Sequence, residues 1–264
     1  MQLEISARLA LELPGPADFL LQIEAAAIPE QSIVAADLEL SPSEHCARVP
    51  AQDGIGERIW LRASGRFEAR YQATVRIERQ LAEIATLAAL PPHLLPGGTV
   101  PYLLDSRYCP GARFQALAEA EFGGTAGGAR IAAIREWIAG HLDYAPGSSG
   151  TATTALDSFV ERRGVCRDYA HLLIALARAS AIPARYVSGY APRVEPQDFH
   201  AVAEVFLAEP DNHGGSWHLV DATGMSRAGE LVKIGIGRDA ADVSFLTTFG
   251  ASALAEKVIS VKRA

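Results

Sequence analysis

From Cys166 to Ala177 the chain reads Cys-Arg-Asp-Tyr-Ala-His-Leu-Leu-Ile-Ala-Leu-Ala, apolar at almost every position past the first turn. Ala170, Leu173, Ile174 and Ala177 recur at the spacing of one helical face, and Leu172 and Leu176 fill the next. Only Arg167, His171 and Arg178 leave a thin polar stripe. A helix apolar nearly all round has to be enclosed on every side, so the rest of the chain must be built around this segment. Gly164 stops whatever precedes it. Cys166 stands at the polar N-terminal end, beside Arg167 and Asp168. Free backbone N–H groups and the helix dipole favour a thiolate there. A cysteine that only filled space would sit further in, which makes a packing role the weaker reading.

The segments before it read as strands. Leu3, Ile5, Ala7, Leu9, Leu11 and Leu13 alternate with their neighbours at period two, a half-buried strand that Pro14-Gly15-Pro16 is expected to close. Residues 19–27 and 32–40 are weaker strand candidates. Residues 57–63 and 66–78, separated by Ser64-Gly65, are expected to form a hairpin. Its second arm puts Phe67, Ala69, Tyr71, Ala73, Val75 and Ile77 on one face. Residues 1–85 are therefore expected to be an antiparallel β domain. Prolines and the pair Gly97-Gly98 mark residues 86–110 as a connector.

Residues 111–264 are expected to form a second domain. A short helix is predicted over 113–122 and an amphipathic one over 129–144, with Ile131, Ile134, Ile138 and Leu142 in register. Thr154 and Asp157 have capping-box spacing for a helix ending near Arg163, with Gly164 suited to the position after its C-terminus. Pro183 ends the central helix. Strands are predicted over 184–190, 200–207 and 217–221, the last two joined by a turn at Asp211-Asn212-His213-Gly214-Gly215, and a final strand over 257–262.

The net charge of −7 comes from interleaved residues with no clustered basic surface, which argues against a nucleic-acid partner. Cys46, Cys109 and Cys166 are odd in number and lack CxxC spacing, so neither a disulfide framework nor a zinc site is expected. No apolar run reaches membrane-spanning length, and the first ten residues do not read as a signal peptide. A soluble, cytoplasmic protein without membrane contact is expected.

Cys166 at a helix start, His200 at a strand start and Asp221 at the end of the paired strand supply what nucleophilic thiol chemistry needs. The cysteine gives a thiolate, the histidine holds and returns the proton, and the carboxylate fixes the imidazole tautomer. Across the hairpin, His200 and Asp221 are placed to face each other. His171 and His218 read as structural, Glu204 as a buried hydrogen-bonding partner, and Asp168 as a group that tops the helix or pairs with Arg167 or Arg185. Tyr144 is open to two readings, a second oxyanion donor beside the Cys166 N–H or a packing residue closing its helix. His200, His213 and His218 lack the spacing of a structural zinc site, so no metal and no cofactor are expected.

The specificity lies in the local contexts. Gly164-Val165-Cys166-Arg167-Asp168, the run from Ile182 to Tyr190, Phe199-His200-Ala201-Val202-Ala203-Glu204-Val205 and Trp217-His218-Leu219-Val220-Asp221-Ala222-Thr223 resemble successive blocks of the transglutaminase-like superfamily, in particular its bacterial cysteine-protease-like branch. The likeness is strong from about Tyr102 to Thr223 and weaker over the N-terminal β region. It implies an α+β, papain-like core, with the cysteine-bearing helix packed on an antiparallel sheet, beside the N-terminal antiparallel β domain. It also implies a Cys-His-Asp triad of Cys166, His200 and Asp221. The family often has His-Ala-Trp where this chain has His200-Ala201-Val202, which removes an aromatic from the His200 face and bears on substrate shape. The expected activity is hydrolysis of a peptide or protein amide through a Cys166 thioester. The alternatives are protein-glutamine acyl transfer and a non-catalytic binding module of the same fold.

Overall fold

The computed structural model describes residues 1–209 and 214–264; Asp211, Asn212 and His213, where most of one turn was expected, lie outside the described residues. The first unit is a six-stranded sheet. β1 (Gln2–Leu21) pairs along its length with β4 (Glu57–Ile77), and β4 also carries β2 (Gln31–Leu40) and β3 (His45–Pro50). The period-two pattern sets the register: Leu3 lies opposite Val75, Ile5 opposite Ala73, Ala7 opposite Tyr71 and Leu11 opposite Phe67, all buried.

Two sequence expectations fail here for one reason. β1 does not end at Pro14-Gly15-Pro16, and residues 57–78 are not a hairpin. Both strands run on, and their breaker residues lie opposite each other, with Leu13 paired to Gly65 and the register resuming at Ala17 and Ala63. A bulge absorbs prolines that a regular ladder would reject. Gly65 takes φ +74°, so the facing strand bends with it.

The second unit holds α1 (Gln115–Phe122), α2 (Gly127–His141), the two-residue strand β5 (Asp143–Tyr144), α3 (Ala155–Glu161), the two-residue β6 (Arg163–Gly164) and α4 (Cys166–Ala179). A four-stranded antiparallel sheet follows, built from β7 (Ala184–Tyr190), β8 (His200–Ala208), β9 (Gly215–Val220) and β10 (Val232–Gly237) in the order β10-β7-β8-β9. α4 is enclosed as its composition demands. Leu172, Leu173, Ile174, Leu176 and Ala177 are fully buried between Ala201, Ala203, Val205 and Leu207 of the sheet and Ile131, Ile134 and Ile138 of α2. This α+β core is the arrangement that the resemblance implies.

The tail departs from the sequence reading. Residues 246–263 were expected with the second domain, but β11 (Leu246–Phe249) and β12 (Ala253–Arg263) both pair with the free edge of β1. Edge strands expose unpaired backbone groups, and the chain's end covers that edge. The two units also share apolar contacts: Tyr190, Val232 and Ile234 pack in the β-unit core, and the Tyr190 hydroxyl donates to the Ile23 carbonyl at 2.6 Å. No helix of the described residues is long and apolar enough to cross a membrane.

Candidate active site

Cys166 is the first residue of α4 and is half-buried. Its position is fixed from both sides. β6 pairs in parallel with β5, which sets Gly164 beside Tyr144. A Cβ at Gly164 would lie 2.6 Å from Asp168 Cβ, so only glycine lets the chain enter the helix this closely. This corrects the role expected for Gly164, because the left-handed residue ending α3 is Arg162, at φ +58°. Asp168 is fully buried. Its carboxylate accepts the Val165 N–H at 2.8 Å and pairs with Arg167 at 3.1 Å, so Arg167 and not Arg185 is its partner. Arg167 also donates to the Gly150 carbonyl at 2.6 Å, tying the loop after β5 to the start of α4.

His200 opens β8 and is buried. Its Nε2 lies 2.8 Å from Asp221 Oδ2. The other ring nitrogen, Nδ1, is buried without a hydrogen-bond partner and is left for Cys166, which lines the same cavity. Burial alone would pull the imidazole down. The hydrogen bond to Asp221, with the Cys166 side chain and both charges, outweighs it and pushes the value up to about 9. Burial would likewise raise Asp221, but His200, Thr223 and Ser226 hold it down at about 2. The carboxylate is saturated. Oδ1 accepts the Thr223 N–H and hydroxyl at 2.8 and 2.7 Å, and Oδ2 accepts those of Ser226 at 2.7 and 2.8 Å as well as His200. The Asp221 carbonyl takes the Arg135 Nε–H at 2.8 Å. An ionised aspartate held this way is poised to orient an imidazolium.

The Tyr144 hydroxyl sits beside both the Cys166 backbone N–H and its sulfur. Burial and the nearby sulfur charge push it up to about 12, so it remains a hydrogen-bond donor. Cys166 and His200 open into a cavity of about 360 Å³. Tyr186 and Ser188 of β7 line it. Phe199, Phe245, Leu246 and Lys257 complete one wall.

The other singled-out residues fall elsewhere. His171 is buried against Tyr108 at 5.2 Å, takes the Ala240 N–H at 3.2 Å, and is driven well below the ordinary histidine range by burial and by Arg167 and Arg178. His218 contacts the Ser216 hydroxyl at 3.0 Å. Glu204 is fully buried and binds Arg185 at 2.7 Å and Lys233. Val202 corrects an expectation. It packs with Tyr102, Val187 and Leu219 and does not line the cavity, so its replacing a tryptophan does not reshape the cleft. His213 lies outside the described residues; among those described, no three His, Cys, Asp or Glu side chains gather as a ligand set.

The sequence reading missed Arg135, Thr223 and Ser226. Only Thr223 carried a signal, the Asp-x-Thr spacing of an Asx turn. Tyr186, Ser188 and the C-terminal wall carried none.

A model of the transglutaminase-like superfamily matches residues 116–222, from α1 through Asp221 and the residue after it. An uncharacterized protein of Mycobacterium leprae is 33% identical over 121 residues, 43% of this chain and 42% of that protein. An uncharacterized protein of Mycobacterium tuberculosis is 33% identical over 110 residues, 38% of this chain and 35% of that one. The matches thus span less than half the length of these curated relatives. The crystal structure of a putative cysteine protease from Cytophaga hutchinsonii aligns with 100% of this chain and 90% of its own, at 34% identity and a TM-score of 0.89. A relative of that identity, aligned from the N-terminal sheet to β12 and joined by the match around the Cys166 helix, shows that the chain belongs to the transglutaminase-like superfamily.

Proposed function

We propose that the protein is a thiol-dependent amide hydrolase that works through a thioester on Cys166. The observation that carries this reading is the His200–Asp221 pair, whose remaining imidazole nitrogen is left for a half-buried cysteine at a helix N-terminus. With His200 pushed up to about 9, the imidazole carries at neutral pH the proton that the leaving nitrogen needs. The thiolate attacks the amide carbon, and the carbonyl oxygen takes the negative charge between the Cys166 N–H and the Tyr144 hydroxyl. His200 gives its proton to the departing nitrogen, the C–N bond breaks and the thioester remains. Water then attacks, neutral His200 takes a proton from it, and the C–S bond breaks to release the acid and restore the thiolate. Asp221 holds the ring in one orientation throughout.

Water as the acceptor is supported by the cleft. Besides Cys166 and His200 it is lined by Arg167, Asp198, Tyr186 and Ser188, polar residues that suit a hydrated floor. An amine acceptor would need a site that excludes water. The name of the Cytophaga hutchinsonii relative agrees with hydrolysis. The test uses a peptide amide library in the presence of millimolar primary amine, with products read by mass spectrometry and Cys166→Ala as the control. Free acid from the wild type alone supports the reading. An amine adduct as the main product would make the protein an acyltransferase, and equal turnover by Cys166→Ala would remove the thiol from the mechanism.

A further inference from the structure

The cleft has a mixed lining: Arg167 and Thr151 are polar, while Phe199, Phe245 and Leu246 are apolar, the last two from well beyond the triad in sequence. Phe199 immediately precedes His200. Its ring stacks on Phe245 at 4.7 Å with 17° between planes, and Leu246, the first residue of β11, continues that wall. All three are half-buried. Large apolar side chains left partly open beside a nucleophile mark a binding surface more often than an accident of packing.

This wall is held by the N-terminal β unit. β11 is paired to β1, Leu246 lying opposite Leu21. From β12, Lys257 binds Asp198 at 2.5 Å and lies over the Phe245 ring, which leaves that rim of the wall neutral. The Val261 N–H donates to Gln197 Oε1 at 2.6 Å, and Gln197 donates back to the Pro192 carbonyl at 3.1 Å. The segment leading into His200 is thus pinned to a strand of the other unit.

Resting on the thioester reading, we propose that Phe199, Phe245 and Leu246 form a subsite for a bulky apolar side chain of the acyl donor, and that the β unit serves to build it. The acyl half is the part that stays attached through both half-reactions, so a permanent wall serves it in each. Tyr186 and Ser188, on the same face of β7, line the same cleft and offer it their hydroxyl-bearing side chains. Two neutralised charges and two rings give no attraction for an acidic or basic side chain.

Peptidyl acyloxymethyl ketones test this, since they alkylate an active-site thiol while carrying only acyl-side residues. Leu, Phe, Gly, Asp or Lys is placed at the residue bearing the ketone and at the one before it. The rate of Cys166 modification, read by mass spectrometry, is divided by the rate with iodoacetamide, which carries no side chain. At one of the two positions Leu or Phe should react at least about tenfold faster than Gly or Asp. Phe245→Ala should bring the Leu-to-Gly ratio within about threefold. Should that variant fail to fold, Leu246→Lys at its half-exposed position should turn the preference from Leu towards Asp. Equal rates for all side chains, with iodoacetamide still selecting Cys166, overturn the subsite and leave the thiol reading standing. Loss of iodoacetamide selectivity for Cys166 overturns both.

Discussion

Asp221 has its two carboxylate oxygens filled by donors from Thr223, Ser226 and His200, while its own carbonyl is taken by Arg135. Asparagine at that position would keep the shape but present N–H groups to donors. Asp221→Asn should therefore lower kcat by up to about 10⁴-fold, as loss of the orienting carboxylate does in triads, with the fold retained by circular dichroism. His200→Ala should be at least as severe, because it removes both the proton acceptor and the leaving-group donor. A His200→Ala protein of near-normal activity would refute the assignment. Patterning could define the helix that Cys166 opens and the strands around His200 and Asp221, but what singled out these three residues was the likeness of the surrounding sequence blocks to the transglutaminase-like superfamily. The place of Tyr186 and Ser188 in the cleft was not legible in the sequence, because a hydroxyl-bearing residue on a buried strand looks the same whether or not a cavity adjoins it.

Among the elements, β8 is the most loaded, with His200 at its start and Glu204 four residues on. Glu204 is buried against the Arg185 guanidinium and the Lys233 ammonium, and Lys233 also reaches Glu30 of the β unit. Burial would raise this carboxyl, but Lys233 and Arg185 overcome it and hold it below the ordinary glutamate range. Glu204→Ala strands two buried cations, and its expected cost is about 3–5 kcal/mol by urea denaturation. A cost below about 1 kcal/mol would mean that water or Glu30 satisfies both cations in its place. The helices were readable because their apolar residues keep a period that survives any tertiary context. The ends of β1 and the bend in β4 were not. Pro14-Gly15-Pro16 and Ser64-Gly65 each signal a break when read alone, and only their pairing across the sheet turns two breaks into one shared bend.

Across the whole molecule the two units are joined by backbone pairing, because β11 and β12 return from the helical unit to β1. Sequence periodicity could reveal β12 as a strand but not its partner, since the pairing joins residues from opposite ends of the chain. Stability should follow the triad's charges. His200 binds its proton more tightly in the folded state, rising from 6.5 to about 9, so its contribution is full below the lower value and lost as pH climbs through the upper one. Asp221 shifts from 3.8 to about 2, so its contribution is full above the first value and lost as pH falls through the second. Thermal midpoints should be highest between about pH 4 and 6.5, and His200→Ala should flatten the alkaline decline.

The three cysteines offer the most direct test of the central claim. Cys46 is exposed on β3, Cys109 is fully buried with its thiol pushed up by burial, and Cys166 is only half accessible. Accessibility alone ranks Cys46 first. An imidazolium beside the sulfur at a helix N-terminus ranks Cys166 first. Limited iodoacetamide at pH 6, followed by peptide mass spectrometry, separates the two. The account predicts alkylation of Cys166 well ahead of Cys46, with the lead lost in His200→Ala; alkylation of Cys46 first, or equal labelling in both proteins, would contradict it.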